Sequence, residues 1–165
     1  MKTKIAVSAC LLGQNVRYDG KNKAIDLSKL LNPDEFELIA ICAEVEMGLL
    51  IPREPMERRE IRGEIRLVQV NDHSISYNKQ FKQWFENNKQ RFMGYSGFIL
   101  KSKSPSCGSK TTPHFSGDNF ELSDGLFVQQ LRGINPNIVL IDEIQLKDKI
   151  KFKQFILKIN SPLEK

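Results

Sequence analysis

Four short runs of the chain restrict its fold more than any other feature. "KIAVSA" (4–9), "ELIAICA" (37–43), "SGFILK" (96–101) and "NIVLI" (137–141) are nearly continuous in apolar residues. A strand with one face in water alternates apolar and polar side chains, whereas a strand covered on both faces does not. The four runs therefore predict buried strands of a parallel sheet. A fifth run, "IRLVQV" (65–70), also reads as a strand.

Helical patterns lie between the runs. "AIDLSKLL" (24–31) is short, and "KQFKQWFENNKQRF" (79–92) sets Phe81, Trp84, Phe85 and Phe92 on one face. "SDGLFVQQLRG" (123–133) offers Ser123 or Asp124 as N-cap and Gly133 as C-cap. In "QLKDKIKFKQFILKI" (145–159), Leu146, Ile150 and Leu157 fall broadly on one side. Strands alternating with helices predict an α/β fold, with a mainly parallel Rossmann-like sheet and helices on both faces. No internal repeat, low-complexity tract or interior linker interrupts the 165 residues, so a single domain over 1–165 is expected. Two segments break the alternation, 47–64 and 102–120. Both read as long loops, which in compact domains tend to carry function.

The composition, 40% apolar and 27% charged, is that of a soluble globular chain. No apolar run approaches the roughly 18–20 residues of a membrane span. The apolar part of "MKTKIAVSAC" is too short for a signal peptide. A cytoplasmic location with no membrane partner is expected, and an odd count of three cysteines argues against a disulfide framework. The net charge is +5, with much of the excess in "KDKIKFKQFILKI". That basic C-terminal helix suits a solvated face, an anionic substrate or RNA.

The cysteines follow the strands. Ligands in open parallel sheets bind beyond the carboxyl ends of the strands. Cys10 comes just after the first run, Cys42 ends the second, and Cys107 lies a few residues past the fourth. All three are expected at one edge of the sheet. "SPSCGS" is moreover a polar turn, a poor setting for a cysteine acting as a small buried hydrophobe. Phosphatase-like chemistry is a near miss, because six residues rather than five separate Cys10 from Arg17. Structural zinc usually takes four ligands, often in close pairs. No such pair exists here, and only His73 and His114 could add a histidine ligand. An iron–sulfur cluster normally takes four thiolates. A cluster held by three would leave one iron open as a Lewis acid.

Three blocks carry a resemblance: "SACLLGQNVRYDG" (8–20), "CAEVEMGLLIPREP" (42–55) and "LKSKSPSCG" (100–108). Together they resemble the signature blocks of the thiouracil desulfidase family, over a core of about 3–143. The resemblance implies a [4Fe-4S] cluster held by Cys10, Cys42 and Cys107, with one open iron site. It implies non-redox, hydrolytic replacement of a thiocarbonyl sulfur by oxygen. The expected substrate is a thiolated nucleobase or nucleotide such as 2-thiouracil or 4-thio-UMP, and thiolated tRNA is a possible partner. The catalytic carboxylate matches Glu44 and the catalytic serine matches Ser104. The family usually has Cys-Pro-Glu where this chain has Cys42-Ala43-Glu44.

Beside the resemblance, the residues add further candidates. Glu46 is the competing carboxylate in the Glu44 turn. Ser106 either binds substrate or caps the loop, since serines in turns often bond backbone. Arg53 and Lys101 are candidates for an anionic group such as a phosphate, although Arg53 could instead pin its loop through an ion pair. A cluster- or metal-binding sensor without turnover is the alternative function.

Overall fold

The computed structural model describes residues 1–161. Four strands form a parallel sheet in the order β2-β1-β5-β8: β1 (Thr3–Ser8), β2 (Phe36–Ile41), β5 (Gly97–Leu100) and β8 (Leu140–Asp142). These are the four nearly continuous apolar runs. Their lack of alternation has the expected cause, since successive side chains enter different cores. Ala6, Phe98 and Leu100 join one core with α2 (Asn78–Met93) and α3 (Leu126–Ile134). Ile5, Val7, Ile99 and Ile141 join the other with α4 (Lys149–Asn160). Helices therefore cover both faces. Phe81, Trp84, Phe85 and Phe92 of α2 are buried together, against Phe98 and Phe127.

A second sheet departs from the expected architecture. Its order is β4-β3-β6-β7, with β3 (Met56–Ile61), β4 (Glu64–Gln69), β6 (Thr112–Ser116) and β7 (Asn119–Ser123). The run 65–70 belongs here, antiparallel to β3, and not to the parallel sheet. The segments 47–64 and 102–120 are loops only in part, because β3, β6 and the start of β7 lie within them. β3 is masked in the sequence because a buried arginine, Arg58, holds an inward position where an apolar residue would have marked the strand. Arg58 donates to the Asp124 carbonyl and to Gln129, joining this sheet to the start of α3.

Three helix boundaries also differ. The 24–31 pattern yields a single 3-10 turn, Leu27–Lys29, because so short a segment cannot sustain a helix alone. α3 starts from Gly125, since Ser123 is still paired in β7 and Asp124 binds Lys110 and Arg132; Gly133 lies inside the helix. α4 starts at Lys149, with Asp148 accepting from the Ile150 and Lys151 amides. Its core-facing residues are Phe155 and Ile159, while Ile150 and Leu157 are exposed, contrary to the expected face. Among the described residues no helix is long and apolar enough to cross a membrane.

Candidate functional site

The three cysteines leave three adjacent strands. β1 runs into a 3-10 turn, Ala9–Leu12, that carries Cys10. β2 ends at Ile41, and Cys42 is the N-cap of the short helix α1 (Ala43–Glu46). Ala43 thus occupies the first helical position, where proline is tolerated but not needed, so its presence leaves the turn intact. β5 leads into the loop holding Cys107. All three cysteines line one cavity of about 290 Å³, at the carboxyl edge of the sheet. Cys10 and Cys107 are buried and Cys42 is half-buried.

The serines of the Cys107 loop explain how a thiol is held in a polar turn. No strand ladder satisfies this backbone, so side chains and a helix end do so. Ser104 Oγ accepts from the amides of Ser106 (3.3 Å) and Cys107 (3.1 Å). Thr112 Oγ1 donates to the Ser104 carbonyl at 2.6 Å. The first amides of α3, free of helical partners, donate into the loop: Leu126 to Pro105 O and Phe127 to Ser106 O, both at 2.9 Å. Gly125 makes this approach possible, because a Cβ there would collide with the Ser106 carbonyl. Gly108 is equally confined, since a Cβ there would collide with Thr112 Oγ1.

Glu44 lines the same cavity. Its Oε2 accepts from Arg53 Nε (3.0 Å) and Nη2, and its Oε1 accepts from Ser106 Oγ at 3.1 Å. Ser106 is therefore buried and bound to Glu44, linking the second cysteine's turn to the third cysteine's loop. Arg53 also donates to the carbonyls of Val16 (2.8 Å) and Leu50 (3.2 Å). Four of its five donors are thus engaged within the protein, two of them on the Glu44 carboxylate. Lys101 is similar: Nζ donates to Glu143 Oε1 (2.6 Å), Ser102 O (2.9 Å) and Ser102 Oγ (3.3 Å), which uses all three protons. Burial alone would push Glu143 up, but its hydrogen bonds from Lys101 and Ser102 outweigh that and hold its carboxyl below the usual range.

Glu46 is turned away from the cavity. It accepts from the Cys42 amide at 3.0 Å and pairs with Arg91 at 2.6 Å, closing α1 against α2. His73 pairs with Glu57, and His114 sits in β6 of the second sheet; neither lines the cavity. The cavity also gathers residues that sequence reasoning missed: Arg17, Tyr18, Lys23 and Lys103. Arg17 and Tyr18 stand in the quoted block after Cys10, and Lys103 precedes Ser104. Loop position next to a cysteine was the available signal. Among the described residues Arg17, Lys23 and Lys103 form no ion pair.

Burial, reinforced by the Cys42 thiol, pushes Cys10 from 9.0 up to about 11. Burial and the Cys42 thiol likewise raise Cys107, and burial raises Cys42. Without metal, these groups are protonated thiols at neutral pH. A thiol whose pKa is raised by folding favours the folded state fully below its unfolded pKa, and that contribution disappears as pH climbs through the folded value. The metal-free protein is therefore expected to lose thermal stability between pH 9 and about 11, the window set by Cys10. A melting series over that range with the Cys10→Ala variant as control checks this, since the variant should lose less across the window.

The donor set can be matched to a group. Among the described residues no group of three or more His, Cys, Asp or Glu side chains is placed to hold a metal ion. Three soft sulfur donors reach one cavity from three separate strands, and thiolates are the usual donors to iron–sulfur clusters. Residues 5–143 match the family model for 2-thiouracil desulfurase. The uncharacterized protein YbbK of Bacillus subtilis (strain 168) is 32% identical over 112 residues, 64% of this chain and 73% of that protein. A solved structure of the [4Fe-4S]-dependent thiouracil desulfidase TudS superposes with a TM-score of 0.70 at 33% identity, covering 89% of this chain and 95% of the other. With the family segment running from β1 to the residue after β8, and so containing the whole cysteine-lined cavity, this chain belongs to the 2-thiouracil desulfurase family.

Proposed function

We propose that the protein is a desulfidase that exchanges the thiocarbonyl sulfur of a thiolated uracil for the oxygen of water, releasing sulfide, with a [4Fe-4S] cluster held by Cys10, Cys42 and Cys107. The carrying observation is the convergence of these three thiols and one fixed carboxylate, Glu44, on a single cavity. When bound, the cluster supplies a soft Lewis acid at the iron that the three thiolates leave free, matched to a thiocarbonyl sulfur.

The remaining work falls to the protein's side chains. C=S and H₂O become C=O and H₂S, so no electrons are gained or lost, but two protons must move. Glu44 Oε1 is the site through which they pass. Arg53 fills the lone pairs of Oε2, whereas Oε1 carries one hydroxyl donor and keeps capacity for a water. Arg53 fixes the carboxylate in orientation, which general-base catalysis requires. Ser104 lines the cavity while its oxygen accepts from two amides, leaving its proton able to donate to substrate or water.

Arg17, Lys23 and Lys103 favour a phosphate-bearing substrate over the free base, because they are the cavity's cations without a paired carboxylate. The same chemistry applies to a thiolated uridine within tRNA. Anaerobic reconstitution followed by a sulfide assay tests the reading. Release is expected from 4-thio-UMP and from 2-thiouracil, with the lower KM for the nucleotide. A reconstituted protein that releases sulfide from neither is a cluster-binding module and not a desulfidase.

A further inference from the structure

Arg58 is a buried charge that lies outside the cysteine-lined cavity. It sits in β3 of the second sheet, is 5% exposed, and forms no ion pair among the described residues. Burial pushes its guanidinium below the usual arginine value. An apolar side chain at this inward strand position would fold at lower cost. What the charge supplies must therefore be sought in what it binds.

It binds the start of α3. Nη1 donates to the Asp124 carbonyl and, at 3.3 Å, to Ser123 Oγ, while Nη2 donates to Gln129 Oε1. α3 has no side-chain cap of its own, because its N-cap is Gly125. The amides at that end go to the Cys107 loop: Gly125 donates to Gly108 O at 2.7 Å, beside the bonds of Leu126 and Phe127 to Pro105 and Ser106. Asp124, whose carbonyl Arg58 holds, turns its carboxylate to the same loop. Oδ1 accepts from the Lys110 amide at 2.9 Å, and Oδ2 accepts at 2.9 Å from Arg132, which donates in turn to Ser109 Oγ at 3.0 Å.

The third cysteine needs such support more than the other two. Cys42 directly follows the last residue of β2, and Cys10 lies in the turn that directly follows β1. Cys107 stands well beyond Leu100, where β5 ends, so the parallel sheet does not fix its position. The second sheet reaches the loop at two points. Arg58 of β3 holds the start of α3, and Thr112, the first residue of β6, binds the Ser104 carbonyl.

We propose that Arg58 is the positioning residue for Cys107, and that through it the second sheet governs how firmly the three thiols hold iron. The iron-holding part rests on the desulfidase reading; the hold on the loop rests on the hydrogen bonds alone. Arginine suits the task because its planar fork reaches two acceptors at once, the Asp124 carbonyl and Gln129, where a lysine brings one point charge.

Amide hydrogen exchange of the metal-free protein, read by NMR, tests the hold on the loop. R58M keeps an unbranched apolar stem and removes the fork. The amides of Cys107 and Gly108 should then exchange at least about tenfold faster, with those of Phe98 and Ile99 in β5 unchanged. R58K should fall between R58M and wild type. Q129A keeps Arg58 and removes one of its acceptors at an exposed helix position, where alanine is the better helix former. It guards against misfolding of R58M, and the same two amides should exchange faster than in wild type by a smaller factor. After anaerobic reconstitution, R58M should bind iron about 10–100-fold less tightly in competition with a chelator, the range associated with residues that orient metal ligands. Exchange that rises equally in the loop and in β5 would overturn the proposal by making Arg58 a general support of the fold. Unchanged exchange of Cys107 and Gly108 in R58M and Q129A, or wild-type iron affinity in an R58M whose loop exchanges faster, would overturn it as well. Wild-type protein that takes up no iron would overturn the cluster reading and not the hold of Arg58 on the loop, which the metal-free exchange decides.

Discussion

Cys42→Ser is expected to abolish iron binding and turnover while leaving the polypeptide folded. A hydroxyl is a hard, weakly acidic donor and a poor substitute for a thiolate on iron. The position is nevertheless well suited to serine. Cys42 is the N-cap of α1, with extended backbone (φ −141, ψ 103), and its sulfur makes no capping hydrogen bond. The amides of Val45 and Glu44 lie near enough to the sulfur to oppose in part the upward push of burial on its pKa. A serine oxygen can accept from such amides, and serine is among the preferred N-cap residues, where the bond is worth about 0.5–2 kcal/mol. The metal-free variant should therefore melt no lower than the metal-free wild type. Iron content after anaerobic reconstitution decides the ligand question. Wild-type iron in the variant would remove Cys42 from the ligand set. Lost iron accompanied by a collapsed melting curve would show that the residue supports the fold instead.

The parts of the fold legible in the sequence are those in which one physical requirement dominates. β1 and β5 are covered on both faces, the edge strands β2 and β8 contribute side chains to both cores, and continuous apolar runs have few other uses. The placement of three cysteines beyond three such runs then follows from strand polarity alone. The second sheet was hidden because its stability is shared among unlike groups. β3 hides behind buried Arg58, β6 contains Pro113, and β7 is mostly exposed, so none shows a clean alternation. Within the site, residue types were legible but their partners were not. Arg53 and Lys101 could be recognised as cations near the cysteines. That Glu44 and Glu143 engage them depends on contacts between residues 9 and 42 positions apart in sequence, which no local pattern encodes. The same pairings leave Arg17, Lys23 and Lys103 as the cavity's cations without an ion pair among the described residues.

Glu44→Gln is expected to keep the cluster and lose turnover by about 10²–10⁴-fold, the range associated with a positioned acid–base group. Glutamine preserves the shape of the site. Its carbonyl oxygen can accept from Arg53 as Oε2 does now, and its amide can donate to Ser106 Oγ once that hydroxyl rotates. What disappears is the capacity of Oε1 to take a proton. The loss should fall on kcat with little change in KM, because substrate binding is assigned to other side chains. Cluster absorbance should persist, since the three cysteines are untouched. Glu46→Gln is the matched control: it lies in the same helical turn, yet its carboxylate is bound to the Cys42 amide and Arg91 and does not line the cavity. That variant should retain turnover as long as the cluster assembles. Near-normal sulfide release from Glu44→Gln would exclude this carboxylate as the base, and with Glu46 turned away it would direct attention to Ser104 and its proton. Loss of the cluster together with activity would give Glu44 a structural task, tying the Cys42 turn to the Cys107 loop through Ser106.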